Sequence, residues 1–177
     1  MIAADVAFDE LLQEVDRLLK PDSSGREHAD VVADLLGRLA RRMTELYEER
    51  EREVSSFHAW LEERLGRAID ELADKTAVLE YYEQPGVETL LLVIGRNHPR
   101  RTELNVKQPR GYGAHNRDRD LIVQGYERSM TVLRPIMLQI QLTDRLIDLI
   151  VYRLYGLTRE ERGLVDRETG YAPAVLK

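Results

Sequence analysis

Seven basic side chains fall between two arginines on this chain: Arg96, Arg100, Arg101, Lys107, Arg110, Arg117 and Arg119, with only Glu103 and Asp118 against them. The segment carries +5 inside a protein of net charge −6. Guanidinium and ammonium groups at this density neutralise phosphates, and a basic island in an acidic chain is a candidate polyanion contact. Tyr112, between Gly111 and Gly113, is the aromatic residue within it and a candidate for base or sugar contact. A solvated loop is the plainer reading of the same charges.

No other residues assemble a chemistry. The four histidines, His28, His58, His98 and His115, stand in no zinc-type spacing, and there is no cysteine to join them. They read as surface or helix-face residues. The Gly111–Gly113 stretch lacks the frame of a phosphate-binding loop, and no GxSxG nucleophile turn occurs. Carboxylates are plentiful, but they alternate with arginine, as in Glu48 to Glu53, and read as solvated ion-pair faces. The expectation is a chain with no active site, cofactor or metal of its own.

The elements that must position the basic segment are helical. Charged residues make up 33% and hydrophobic residues 43%, with few aromatics, glycines and prolines, a balance that favours helices with wide solvated faces. A first amphipathic helix, Asp5 to Lys20, lies in an amino-terminal region 1–22 that ends at Pro21 and Ser23 to Gly25. A helical module, 27–166, follows. Its first long helix, 27–65, carries Val32, Leu35, Leu36, Leu39, Met43 and Leu46 on one face. Val54, Phe57, Leu61 and Leu65 resume that face beyond the charged window EEREREV, and Gly66 stops it. Phe57 and Trp60 read as packing anchors. Short helices, 69–95, include the apolar run Val87 to Ile94, read as a buried helix with a short strand as the alternative. The basic loop, 96–117, is about twenty residues long, a length that tends to be functional or mobile.

A second long helix, 119–155, repeats Ile122, Tyr126, Ser129, Leu133, Ile136, Ile140, Thr143, Ile147, Ile150 and Leu154 at alternating steps of four and three. That is a coiled-coil seam, with Pro135 expected to bend it near Met130 or Thr131. At 1.5 Å per residue the helix is roughly 55 Å long and needs a partner, for which the helix 27–65 is the natural choice. Gly156 ends it, Thr158 and Glu161 spell a capping box for a short helix 159–167, and a tail, 168–177, follows. The fold class is all-α: elongated, with two long antiparallel, coiled-coil-like helices, short helices capping one end, and a short carboxyl-terminal helix. The amino terminus does not read as a secretory signal, no apolar run reaches the roughly 18 residues of a membrane span, and the absence of cysteine suits a reducing cytoplasm.

The stretch TDRLIDLIVYRLYGLTREE, Thr143 to Glu161, closely resembles a signature near the carboxyl end of type IIG restriction–modification enzymes, bacterial single chains that join endonuclease, adenine-specific DNA methyltransferase and DNA-recognition regions. There the pattern reads roughly T-D-x-L-I-D-x-I-V-Y-x-L-Y-G-L-T-E-E-E-I. FHAWLEERLGRAIDELADKT, Phe57 to Thr76, is similar to the family's F-L-x-W-L-E-x-x-L-G … I-x-x-L-x-x-K-T, and VIGRNHPRR, Val93 to Arg101, to a basic stretch that follows it. Ser129, Leu133 and Pro135 agree with a long helical segment further on. The likeness spans about Met43 to Asp166. Arg162 departs from it, standing where the family usually has an apolar residue, and the loop Glu103 to Asn116 does not match. The Asn-Pro-Pro-Tyr motif, the glycine-rich cofactor strand and a nuclease carboxylate–lysine set are missing.

The resemblance therefore implies a non-catalytic helical region that supports DNA recognition, with S-adenosylmethionine and the chemistry belonging to a parent or partner methyltransferase. Its implied partners are DNA and the methyltransferase and recognition domains, and the seven basic residues would contact phosphates. The alternative is a coiled-coil interaction or scaffold module with no DNA role, pairing with another chain, or with its own copy, through the Ile122 to Leu154 seam.

Overall fold

Gly66 and Gly156 both adopt φ near +65°, +66° and +64° respectively, and each ends a helix. Only glycine enters this left-handed region without a Cβ clash, which is why the chain turns at these two points. The computed structural model describes residues 8–21, 28–84, 86–97 and 115–168, the last from residue 118 for side chains. Six α-helices run in the order α1 Asp9–Leu18, α2 Ala29–Leu65, α3 Thr76–Leu79, α4 Val87–Asn97, α5 His115–Leu154 and α6 Arg159–Glu168, with 3₁₀ turns at Ile69–Glu71 and Tyr81–Glu83. Among the described residues there is no strand. The fold is all-α, built on two long antiparallel helices, α2 and α5, that pack against each other.

Several boundaries differ from those expected. The first helix is shorter than Asp5 to Lys20, and residues 1–7 and 22–27 lie outside the described residues. Val87 to Ile94 is the buried helix expected, and the strand alternative falls: Val87, Leu90, Leu91, Val93 and Ile94 are all buried, a face too wide for a strand's alternation. The basic segment is less of a loop than it reads, because Arg96 and Asn97 close α4 and α5 already begins at His115. Glu168, expected in the tail, still belongs to α6, and the rest of the tail is outside the described residues. α5 runs through Pro135 as one 40-residue helix.

The chain divides into two compact units, Met1–Tyr47 with Leu138–Lys177, and Glu48–Met137. The division falls at the charged window: no residue from 47 to 53 is buried, since a run of glutamate and arginine has nothing to put into a core.

In the second unit, Val54, Phe57, Leu61 and Leu65 of α2 face Ile122, Tyr126, Met130 and Leu133 of α5, and the short elements from Ile69 to Ile94 complete this core. Trp60 of α2 lies against Gly125 of α5 so closely that a Cβ there would sit 2.4 Å from the indole. Tyr81 is fully buried, its ring 4.2 Å from that of Phe57, and its hydroxyl shares a 2.5 Å hydrogen bond with Ser129. This explains the one hydroxyl in the first half of the seam besides that of Tyr126. Burial pushes the Tyr81 phenol up to about 12.

In the first unit, Leu12 and Val15 of α1, Val32 of α2 and Leu146, Leu149, Ile150 and Tyr152 of α5 form a separate core. Arg42 of α2 donates to Gln139 of α5 at 2.9 Å. Here the heptad seam does not hold. Ile122 to Ile136 are buried as expected, but Ile140, Thr143 and Ile147 are only half-buried, and Leu154 is exposed, while Arg145, Leu146, Leu149 and Tyr152 go inside. A strict seven-residue repeat drifts about 20° per heptad on a straight helix. In this unit α1 and α6 also press on α5, so the buried face widens rather than following one stripe. The buried part of the seam is covered by the chain's own residues.

After α5, Leu157 donates its backbone N–H to the Tyr152 carbonyl at 2.9 Å and Gly156 to Arg153 at 3.0 Å, the double bond pattern of a Schellman stop. Thr158 and Glu161 then cap α6 reciprocally: Thr158 N–H to Glu161 Oε2 at 2.8 Å, and Glu161 N–H to Thr158 Oγ1 at 3.3 Å. The Thr158 N–H and hydroxyl, both donated to Glu161 Oε2, hold the Glu161 carboxyl below its ordinary range. Among the described residues, no helix is long and apolar enough to cross a membrane.

Candidate nucleic-acid interface

Asn97 ties the end of α4 to the Ala73 turn. As the last residue of α4 it cannot pass its polar groups up the helix, so its side chain binds across the turn. Its Nδ2 donates to the carbonyls of Ala73 and Val93, each at 2.9 Å, and its Oδ1 accepts from the Ala73 N–H at 2.7 Å. Arg67 locks the same corner, donating to the Glu71 carbonyl at 2.7 Å and to the Asn97 carbonyl at 3.4 Å. Next to it Asp74 holds φ at 60°, which Asp tolerates better than most residues. Neither Asn97 nor Arg67 was singled out by the sequence. The available signal was an asparagine at the end of an apolar helical run, a residue type suited to capping backbone groups.

Two of the seven predicted phosphate contacts have described side chains. Arg96, on the last turn of α4, is 64% exposed with its Nη1 3.5 Å from Asp74 Oδ2. Arg119, on the first turns of α5, is 3.9 Å from its neighbour Asp120. Both are solvent-reaching cations loosely screened by an acid, an arrangement that costs little to exchange for a phosphate. Arg100, Arg101, Lys107, Arg110 and Tyr112 lie outside the described residues, as do the side chains of Arg117 and His115, and all of His98. Among the described residues of this unit acids outnumber bases.

The other side chains weighed for chemistry resolve into packing. Phe57 is buried, and Trp60 packs on Gly125 with Arg64 over its ring at 5.8 Å. His28 is exposed. His58 is half-buried beside Phe57 and Tyr81, with Nε2 3.3 Å from the Val78 carbonyl. That carbonyl can only accept, so the bond places a proton on Nε2. Burial lowers the imidazole's pKa, against the pull of that bond and of Glu62 and Glu51. Among the described residues no group of three His, Cys, Asp or Glu is placed to hold a metal ion.

A second polar cluster, which the sequence did not reveal, sits in the first unit. Arg145 is 4% exposed, and its Nη1 donates to Asp166 Oδ1 at 2.9 Å; Tyr152 donates its hydroxyl to the same oxygen at 2.8 Å. Burial and this bond push the Tyr152 phenol up to about 12. Arg145 reads as a surface residue from its charge alone. Its burial follows from α6 folding back to supply the carboxylate.

The chain matches no protein-family model, no curated protein and no solved structure.

Proposed function

We propose that this chain is the helical, non-catalytic, DNA-recognition-supporting carboxyl-terminal module of a bacterial, cytoplasmic type IIG restriction–modification adenine methyltransferase. The observation that carries the reading is the order and spacing of its motifs. FHAWLEERLGRAIDELADKT spans the end of α2, the Gly66 turn and the elements after it, and TDRLIDLIVYRLYGLTREE spans the end of α5, the Gly156 stop and the start of α6. Methyl transfer, S-adenosylmethionine and strand cleavage belong to the parent or partner. The helices brace its recognition domain, and the basic segment contacts DNA phosphates, which position a protein without reading sequence.

Duplex binding measured against salt tests this. Reversing Arg100, Arg101, Lys107 and Arg110 to glutamate should weaken binding and flatten the slope of log K on log salt by about 0.9 per lost phosphate contact. Equal affinities and equal slopes for the two proteins would overturn it.

One observation favours a protein-interaction module with no DNA role. Tyr155 is 75% exposed and Leu164 52%, with Leu154 also exposed at the α5–α6 corner. A stable homodimer in sedimentation, indifferent to added duplex, would support that reading instead.

A further inference from the structure

Gly163 sits inside α6, where alanine would favour the helix by about 1 kcal/mol. Nothing in the fold asks for glycine there. A Cβ built on it meets no atom within 4 Å, and its backbone is not left-handed. What Gly163 does is keep one wall of a cleft open. That cleft, about 580 Å³, lies within the first unit between α1, α5 and α6.

The other walls are strongly basic for an acidic protein. Arg145, Arg153, Arg159 and Arg162 line the cleft against Asp9 and Asp166. Two of the arginines are committed. Arg145 is bound to Asp166, and Arg153 Nε is 3.2 Å from Asp16 in the geometry of an ion pair rather than a hydrogen bond. Among the described residues the other two are not. Arg162 gives only its Nε, to the Leu157 carbonyl at 2.8 Å, and Arg159 has no ion-pair partner among the described residues. Asp166, meanwhile, already carries two donors on one oxygen. Two arginines three residues apart on one helix thus line the same cleft, with Gly163 beside them and Leu12 and Leu149 among its apolar lining.

We propose that this cleft binds a phosphate group. Guanidinium forks bind tetrahedral oxyanions through paired charge-assisted hydrogen bonds, and a glycine lets such an oxygen approach the helix backbone. The site shares no residue with the basic segment and does not depend on the function proposed above. The group is either inorganic phosphate or a phosphodiester of a nucleic-acid backbone.

The test uses the full chain and two variants: Arg159→Gln with Arg162→Gln, and Gly163→Leu, which fills the open wall. Thermal melts with inorganic phosphate, against chloride at matched ionic strength, read the first source. Duplex affinity reads the second, with exposed Arg41→Gln as the control. A phosphate-specific rise in Tm that both variants lose supports a free-phosphate site. No such rise, but duplex affinity at least about tenfold weaker in both variants and unchanged in the control, supports a backbone phosphodiester. If neither readout separates the variants from the native protein, the proposal fails. Should Gly163→Leu lose its helical circular dichroism, the arginine pair alone decides. The result is independent of the charge-reversed basic segment, so either proposal can fail without the other.

Discussion

His58 links the core of the second unit to pH. Its folded-state pKa lies below the ordinary 6.5 because burial among Phe57, Tyr81 and the Val78 carbonyl disfavours the imidazolium. The unfolded chain therefore binds the proton more tightly. The group's contribution is complete above pH 6.5 and is lost as pH falls through the folded value. Tm should drop between about pH 7 and 5 in the native protein, above the range where carboxylates such as Asp70 and Glu161 begin to protonate. His58→Gln, which keeps a donor for Val78, should flatten that drop. Identical pH profiles for the two proteins would show that His58 is not its source. None of this was readable from the sequence, where His58 is one histidine on a helix between Phe57 and Ala59. Its burial depends on the Tyr81 turn, twenty residues downstream, folding over it.

At the level of elements, α6 is the instructive case. It has no buried residue, and its composition is mostly charged. It stays in place through the capping box at its start and the Arg145–Asp166–Tyr152 cluster near its end. Removing one partner of a buried pair can cost about 3–5 kcal/mol, because the other charge is left without water. Here α6 can lift away and let water reach Arg145, so Asp166→Ala should cost less, about 1–3 kcal/mol. The loss should appear as faster amide exchange across α6 with little change in α4. Uniformly faster exchange through both helices would mean the cluster supports more than this one element. The capping box and the glycine stop were legible in the residues themselves, since both are local. The cluster was not, because its two charged members are 21 residues apart and meet only through the turn at Gly156.

At the level of the whole molecule, two cores share two long helices. Val54 to Leu133 build one, and Leu12 to Tyr152 the other, with the charged window of α2 at the division. Because each core buries its own apolar set, a cavity in one should first loosen its own unit. Leu61→Ala and Ile150→Ala each remove a fully buried side chain and should cost about 2–5 kcal/mol. Leu61→Ala should speed exchange most in α4, and Ile150→Ala most in α1. If either mutation loosened α1 and α4 equally, the chain would be unfolding as a single cooperative body.

Helix type, the two long spans, the stops at Gly66 and Gly156 and the cap at Thr158 were all set by the sequence. Each rests on periodicity or on backbone preferences within a few residues. The ends of the basic segment were not legible, since α4 and α5 extend into it. Tertiary structure alone decided which residues of α5 go inside beyond Ile136, that Arg145 is buried, that Asn97 ties α4 to the Ala73 turn, and that four arginines surround one cleft. These are contacts between elements far apart in the chain. A heptad pattern cannot anticipate them, because it assumes a single partner, and in the first unit α5 has α1, α2 and α6 around it.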